Sequence, residues 1–150
     1  MRLVIQRVSK ADVVIDGKTN GAIGQGLMIL LGIGNDDTTE DIDWLVRKVI
    51  GLRVFNDEQG VMNKSILETG GDILVVSQFT LMASTKKGNR PSWIQAAPHE
   101  ISIPLYEDFI ERLTIALGKP VEHGEFGADM QVSLTNDGPV TIIIDSKLKL

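Results

Sequence analysis

The segment Val75–Leu81, with the sequence VVSQFTL, offers the clearest potential for chemistry in the chain. Two hydroxyls and one amide, on Ser77, Thr80 and Gln78, follow an apolar run. Together with backbone N–H groups, such side chains can orient a substrate and stabilise an oxyanion. A Ser or Thr hydroxyl attacks as a nucleophile only when a base lies beside it, and the neighbouring sequence supplies none. The segment therefore favours a positioning site, and the alternative is an ordinary edge strand with one solvated face.

A second candidate is the segment 84–93, STKKGNRPSW, which carries Lys86, Lys87 and Arg90 and no acid. The whole chain has a net charge of −5 and a pI near 5.0, which argues against non-specific coating of nucleic acid. Local charge can differ from this average. The segment is therefore either a solvated loop or a small docking patch for phosphate.

The third candidate is NDGPVT, residues 136–141, which lies between the alternating runs MQVSLT and VTIIID. Asn136, Asp137 and Gly138 in this setting are typical of a β-hairpin turn. Pro139 does not suit a plain hairpin, because it removes a backbone donor just where the returning strand would begin to pair. The turn is therefore either a connector or a segment shaped for a separate role.

Other chemistries find little support in the sequence. The chain has no cysteine, which excludes disulfides, thiolate nucleophiles and zinc-thiolate sites and fits a reducing cytosol. His99 and His123 have no metal-binding spacing, and His123, flanked by acids, is more typical of a surface residue than of a metal ligand. There is no G-x-S-x-G elbow and no complete phosphate-binding loop. Gly32 and Gly34 instead suggest a sharp turn from a buried strand into a helix. We expect no metal and no cofactor.

The elements that would position these residues are mostly strands. The N-terminus alternates as a strand and does not resemble a signal peptide, and Asp16-Gly17 predicts a hairpin. The apolar run Leu27–Ile33 predicts a central strand covered on both faces. A long strand is expected from Ile73 through the VVSQFTL segment. Alternation along it would place Ser77, Phe79 and Leu81 on one face and Gln78 and Thr80 on the other.

Two helices are marked by apolar spacing and by end signals. The first follows GNDDTTED and can close at Gly51; the second is predicted from Pro104 to Leu117, with Gly118 as its stop. Because the strands do not alternate regularly with helices, a doubly wound parallel sheet is not expected. The prediction is one α+β domain over residues 1–150, with antiparallel or mixed sheets that form a barrel-like core and two main helices. No apolar run is long enough to span a bilayer.

Taken together, these motifs resemble a known family. The order SQFTL, then KKGNRPSW, then GEFGADMQVSLTNDGPVT is similar to that of the D-aminoacyl-tRNA deacylases, and so is the opening MRLVIQRVSKADVVIDG. The resemblance extends over essentially the whole chain. It implies a cytosolic homodimer that hydrolyses the ester between a D-amino acid, or glycine, and its tRNA.

The resemblance also implies roles for particular residues. Active-site residues would be Ser77, Gln78, Phe79 and Thr80. The Gly138-Pro139 bond would be cis and would reach into the partner subunit's site, where its carbonyls exclude an L side chain. Arg7 would hold this motif, Phe126 and Met130 would border the pocket, and Lys86, Lys87 and Arg90 would contact the acceptor end of the tRNA.

Mechanistically, the missing base at Thr80 fits assistance by the terminal ribose 2′-hydroxyl, which the family is thought to use. Whether Thr80 is a nucleophile or only positions the substrate stays open at this point. Two other functions are also conceivable: a catalytically silent dimer that binds RNA ends or proteins, and an esterase or amidase of small D-amino acid derivatives. Intact SQFTL and Gly-Pro motifs weigh against the first, and the basic segment weighs against the second.

Overall fold

The computed structural model describes residues 1–149. Its elements, in chain order, are β1 (Arg2–Ile15), β2 (Lys18–Ile23), β3 (Gly26–Gly32), α1 (Thr39–Gly51), β4 (Phe55–Asn56), β5 (Met62–Lys64), α2 (Ile66–Thr69), β6 (Asp72–Ser77), a 3₁₀ turn (Phe79–Met82), α3 (His99–Leu117), β7 (Glu122–His123) and β8 (Gln131–Asp145).

The long strand β1 organises the sheet. Its first half pairs antiparallel with β3, its second half with β2, and β8 runs antiparallel along its other edge. The strands β3, β6 and β7 follow one another in parallel. The amide of Asn20 on β2 donates to the carbonyl of His123 on β7 over 2.9 Å, so the two ends of the sheet approach each other. The predicted α+β fold with a mixed, barrel-like sheet is confirmed.

The sheet separates two apolar clusters. Leu27, Ile29 and Leu31 of β3 point into the larger cluster, which α1 and α3 cover. Met28 of the same strand points into the smaller cluster inside the curved sheet, where it lies with Val13 and five other buried residues. The strand is therefore covered on both faces, as its unbroken apolar run predicts.

The local signals for turns and helices agree with the structure in most places. Asp16 and Gly17 both have positive φ, 50° and 74°, as a tight two-residue hairpin requires. Thr38 caps α1 and forms a capping box with Asp41. The start predicted for the second main helix is wrong: α3 begins at His99 and carries Pro104 in its interior. Proline there gives up only the bond to the carbonyl four residues earlier, which lies on the exposed first turn at Glu100.

The long strand predicted from Ile73 is also wrong beyond Ser77, where β6 ends and a 3₁₀ turn begins. The last ladder bond runs from the N–H of Gln78 to the carbonyl of Leu31 over 2.8 Å. The strand β3, which pairs with β6, ends at Gly32. Residues beyond Gln78 therefore have no neighbouring strand with which to form ladder hydrogen bonds. The alternation expected for residues 78–81 is therefore replaced by helical geometry.

The hairpin predicted at NDGPVT is not formed. Both flanking runs belong to one strand, β8, and both pair with β1. Gln6 pairs with Thr141 and Val8 pairs with Asn136, so residues 137–140 bulge opposite Arg7 alone. A partner strand of 14 residues is long enough to pair with both runs, which makes a bulge possible where local chemistry favours a reversal.

Candidate functional site

A cavity of about 620 Å³ opens beside the end of β6. Its walls come from five places: the end of β3 with the residue that follows it, the β6 end with the 3₁₀ turn, the segment 93–98, the start of α3, and the segment 126–132. Its lining comprises Leu31, Ile33, Val76, Ser77, Gln78, Phe79, Trp93, Ala96, Ala97, Pro98, His99, Ser102, Phe126, Gly127, Ala128, Met130 and Val132. The cavity thus brings together most of the SQFT segment and residues more than 40 positions later in the chain.

The 3₁₀ turn can reach this position because β3 ends in glycine. A Cβ on Gly32 would lie 2.9 Å from Cβ of Leu81 and 3.2 Å from the carbonyl oxygen of Gln78. Real Cβ atoms do not approach a backbone so closely, so a side chain here would push the turn away. The sequence prediction assigned Gly32 to a sharp turn into a helix. Its function in the structure is instead close packing of the 3₁₀ turn on the strand.

Thr80 has no protein base beside it in the part of the chain described. Its hydroxyl accepts a hydrogen bond from the side-chain amide of Gln78. The first N–H groups of any helix lack acceptors within that helix, and the side chain of Gln78 does not cap them here. The turn therefore presents an amide, a hydroxyl and the backbone N–H groups of Phe79 and Thr80 at one place. This set can polarise a carbonyl but cannot by itself remove a proton.

His99 is the single ionisable side chain in the cavity lining among the described residues. It is exposed on the first turn of α3 and its ring meets the ring of Phe126 edge-on, with centroids 5.7 Å apart. Sequence reasoning treated His99 only as a residue without metal-binding spacing. No local signal marks it, because its place in the cavity depends on where α3 begins.

Ser102 is the second lining residue that the sequence did not indicate. It is 3% exposed, and its Oγ is the one buried side-chain oxygen or nitrogen in residues 1–149 without a hydrogen-bond partner. It follows His99 by three positions and so lies on the same face of α3. Buried hydroxyls without a hydrogen-bond partner are uncommon. The Ser102 hydroxyl is therefore a polar group on the α3 wall of a mostly apolar cavity.

Phe126 and Met130 lie in the cavity lining. Phe126 also packs edge-on against Tyr106, with ring centroids 5.5 Å apart. The hydroxyl of Tyr106 donates to the carbonyl of Gly124, and burial raises the pKa of that hydroxyl to about 12. The tyrosine is therefore a neutral structural support for this wall.

Gly138 and Pro139 lie outside the cavity of their own chain. Both are exposed, and the peptide bond between them is cis. Arg7, which is 8% exposed, donates to the carbonyl of Asp137 over 2.9 Å and to that of Val54 over 2.7 Å. The guanidinium thus ties the 137–140 bulge to the segment that precedes β4.

Lys86, Lys87 and Arg90 are all exposed on the loop that follows the 3₁₀ turn. None of them forms an ion pair within residues 1–149. No group of three or more His, Asp or Glu side chains in those residues could hold a metal ion. None of the described helices has both the length and the apolar character needed to cross a membrane.

Comparison with known proteins finds relatives that match nearly the full length of the chain. The family model described as D-Tyr-tRNA(Tyr) deacylase matches residues 4–145. A D-aminoacyl-tRNA deacylase of Bacteroides fragilis strain YCH46 is 67% identical over 149 residues, 99% of each chain. One of Chromobacterium violaceum strain ATCC 12472 is 59% identical over 147 residues, 98% of each chain.

Among solved structures, one titled c-Myc DNA Unwinding Element Binding Protein superposes with a TM-score of 0.92 at 43% identity, covering 97% of this chain and 98% of its own. A probable eukaryotic D-amino acid tRNA deacylase superposes with a TM-score of 0.82 at 20% identity, covering 95% and 97%, which supports the fold alone. The matches to the family model and to the two bacterial relatives show that the chain belongs to the D-Tyr-tRNA(Tyr) deacylase family.

Proposed function

We propose that this protein hydrolyses the ester bond between the terminal ribose of a tRNA and a D-amino acid or glycine, releasing free tRNA, and that it spares L-aminoacyl-tRNA. The observation that carries the proposal is the cavity beside the 3₁₀ turn, which is lined by Ser77, Gln78 and Phe79 in a chain belonging to the deacylase family. Thr80 is the next residue of the turn and lies outside the lining. Since aminoacyl-tRNA is the substrate, the site of action is the cytoplasm. We assign no metal or cofactor to the reaction.

The proposed chemistry relies on the substrate for its base. The ester carbonyl lies against the backbone N–H groups of Phe79 and Thr80, which stabilise the oxyanion that develops on it. Gln78 orients the ester and holds the Thr80 hydroxyl. The ribose 2′-hydroxyl next to the ester assists attack by water. An ester needs less activation than an amide, so positioning and oxyanion stabilisation together can supply a large share of the rate.

The discrimination between D and L substrates is proposed to come from a second copy of the chain. Gly138 and Pro139 are exposed and lie outside their own chain's cavity, which supports an action on a partner. In a homodimer their carbonyls would fill the space that an L side chain needs. Exclusion of this kind rejects a substrate by a clash, so it does not depend on which D side chain is present.

Supporting geometry comes from the way the bulge is held. Residues 137–140 contain Gly138 with a φ of +135°, a region that L side chains rarely adopt. A Cβ there would lie 2.9 Å from Val140 Cγ2 and 3.1 Å from Nη2 of Arg7. The positive φ therefore favours glycine at this position, and Arg7 is bonded to the bulge through the carbonyl of Asp137.

The test compares purified protein on D-Tyr-tRNA, L-Tyr-tRNA and Gly-tRNA in single-turnover hydrolysis. We expect rapid hydrolysis of the D and glycyl substrates and background rates with the L substrate. Gln78→Ala should slow the D reaction by about a hundredfold through loss of positioning, whereas the matched variant Gln59→Ala, which alters an exposed glutamine, should match the parent. Equal rates on the D and L substrates would overturn the proposal.

A further inference from the structure

The basic residues and the cavity are joined by a short closed loop. The N–H of Ser84 donates to the carbonyl of Ser92 over 3.0 Å, and the N–H of Ser92 donates back to the carbonyl of Ser84 over 2.8 Å. This pair of bonds closes the loop 84–92 at its base, with Lys86, Lys87 and Arg90 in between. Trp93 follows the closing residue directly and lines the cavity. The three cations therefore lie on a loop whose closed base is directly followed by the aromatic residue Trp93.

Trp93 and Phe79 form an exposed aromatic pair at this base. Their ring centroids are 5.1 Å apart at an interplanar angle of 68°, and the residues are 41% and 54% exposed. The other tryptophan, Trp44, packs against the main core, and ammonium groups of Lys48 and Lys149 lie over its ring. The ring of Trp44 is thus already occupied, whereas the pair at the cavity still presents aromatic surface.

We propose that Phe79 and Trp93 form an aromatic platform on which the unpaired bases that precede the terminal nucleotide of the tRNA stack. The inference rests on the proposed function and extends it from the reacting ester to the adjoining nucleotides. On the protein, the aromatic pair borders the cavity, and the basic loop extends from a closed base directly beside Trp93. Along a tRNA 3′ end the order is aminoacyl ester, exposed bases, phosphates leading to the duplex. The two arrangements correspond, so one strand can engage all three surfaces together.

The composition of this surface selects a single-stranded nucleic acid as its occupant. Proteins that bind such strands combine aromatic side chains, which stack on bases of any type, with a positive groove for the phosphates. Segment 84–93 holds three cations and no acid, in a chain whose net charge is −5. Charge alone would suit an acidic protein surface equally well, so the exposed aromatic pair beside the cations is what favours a single-stranded nucleic acid.

The first test separates stacking from catalysis by using two substrates. Trp93→Ala and Trp93→Phe are compared on D-Tyr-tRNA and on the small ester D-tyrosyl-adenosine, which has no preceding nucleotides. We expect Trp93→Ala to raise KM for D-Tyr-tRNA about ten times more than it raises KM for the small ester, and Trp93→Phe to recover most of that difference. Equal changes in KM for the two substrates would limit the Trp93 ring to the amino-acid cavity that it lines and would overturn the proposal.

Salt dependence gives a second, independent signature. Since an indole carries no charge, Trp93→Ala should leave the slope of log KM against log salt unchanged. Lys86→Glu with Lys87→Glu should flatten that slope, because fewer counterions are then released. A flattened slope in Trp93→Ala would show that the loop has collapsed and would contradict the assignment of stacking to the indole.

A fluorescence titration tests the platform without relying on turnover. Trp44→Phe leaves Trp93 as the only tryptophan, and Trp93→Phe leaves Trp44 as the matched control. Addition of the trinucleotide CCA should quench the first protein and not the second. Parent protein that fails to hydrolyse D-Tyr-tRNA would defeat the proposed function, whereas an absence of quenching would defeat the platform by itself. Emission that changes with protein concentration and not with CCA would assign the surface to a second copy and overturn the proposal.

Discussion

At the scale of single residues, the groups that can hold a substrate and the group that could activate a nucleophile lie on different walls of the cavity. Thr80 accepts a hydrogen bond from Gln78 and has no base beside it within the described chain. His99 is the one ionisable residue in the lining, but it lies on a different wall, at the start of α3. Two mechanisms therefore differ in whether they need a protein side chain as the base. A protein base would require His99, and assistance by the substrate would require neither His99 nor the Thr80 hydroxyl.

Thr80→Ala and His99→Asn distinguish these mechanisms. We expect each variant to hydrolyse D-Tyr-tRNA within about tenfold of the parent in single turnover, since loss of a general base typically costs a hundredfold or more. A substrate esterified at the 3′ position of a terminal 2′-deoxyadenosine should react far more slowly than the normal substrate with all three proteins. A collapse to background in either variant, with normal folding by circular dichroism, would rule out assistance by the ribose hydroxyl.

At the scale of elements, the start of α1 is joined to the end of the chain through its capping carboxylate. Burial would raise the pKa of Asp41, but hydrogen bonds from Ser146 and the Thr38 backbone, together with Lys147, lower that pKa to about 2. The Asp41 side chain is 8% exposed and lies 3.0 Å from Nζ of Lys147. The pKa of Asp145 is likewise lowered: burial opposes the shift, and the N–H groups of Leu148 and Lys147 and the Arg2 side chain produce it.

A depressed carboxyl pKa makes the folded state sensitive to acid. The ionised form of Asp41 stabilises the fold above the unfolded pKa of about 3.8, and this contribution disappears as the pH falls toward 2. We expect it to be worth about 2 kcal/mol at neutral pH. Asp41→Asn should therefore lower the free energy of unfolding at pH 7 and flatten its decline between pH 4 and pH 2, as measured by urea titration. The exposed carboxylate Glu40 provides the control variant, Glu40→Gln. Parallel pH profiles for the parent and Asp41→Asn would contradict this role.

At the scale of the whole molecule, the cavity and the selectivity motif lie in different parts of one chain. Gly138 and Pro139 are outside the lining of their own cavity, while Gln78 is part of it. If the motif acts on a partner, a complete site needs the cavity of one subunit and the bulge of another. If it acts within its own chain, each subunit is sufficient by itself.

Mixing two defective proteins tests this arrangement. Gln78→Ala damages the cavity and keeps the motif, and Gly138→Ala damages the motif and keeps the cavity. Gly138→Ala by itself should hydrolyse both D-Tyr-tRNA and L-Tyr-tRNA. After the two variants are unfolded together and refolded, each heterodimer contains one intact cavity facing an intact bulge, so the ratio of D to L hydrolysis should rise above that of Gly138→Ala alone. Each variant refolded alone is the control. A D-to-L ratio no higher than that of refolded Gly138→Ala would place the motif and the cavity in the same subunit.

Short-range patterns accounted for much of this architecture. The Asp16-Gly17 hairpin, the central strand Leu27–Ile33 and helix α1 follow from turn chemistry, apolar runs and capping residues, all of which act over a few positions. The resemblance to a family predicts Ser77, Gln78, Phe79, Thr80, Phe126 and Met130 as site residues, and all of these except Thr80 lie in the cavity lining.

Three features depend on the tertiary structure: the 3₁₀ turn, the bulge in β8 and the cavity wall formed by α3. Residues 79–82 become a 3₁₀ turn because β3 ends at Gly32 and leaves them no ladder to join. Residues 137–140 become a bulge because β1 is long enough to pair with both halves of β8. His99 and Ser102 reach the cavity because α3 begins at His99. In each case the local sequence permits more than one conformation, and a partner distant in the chain determines which one forms.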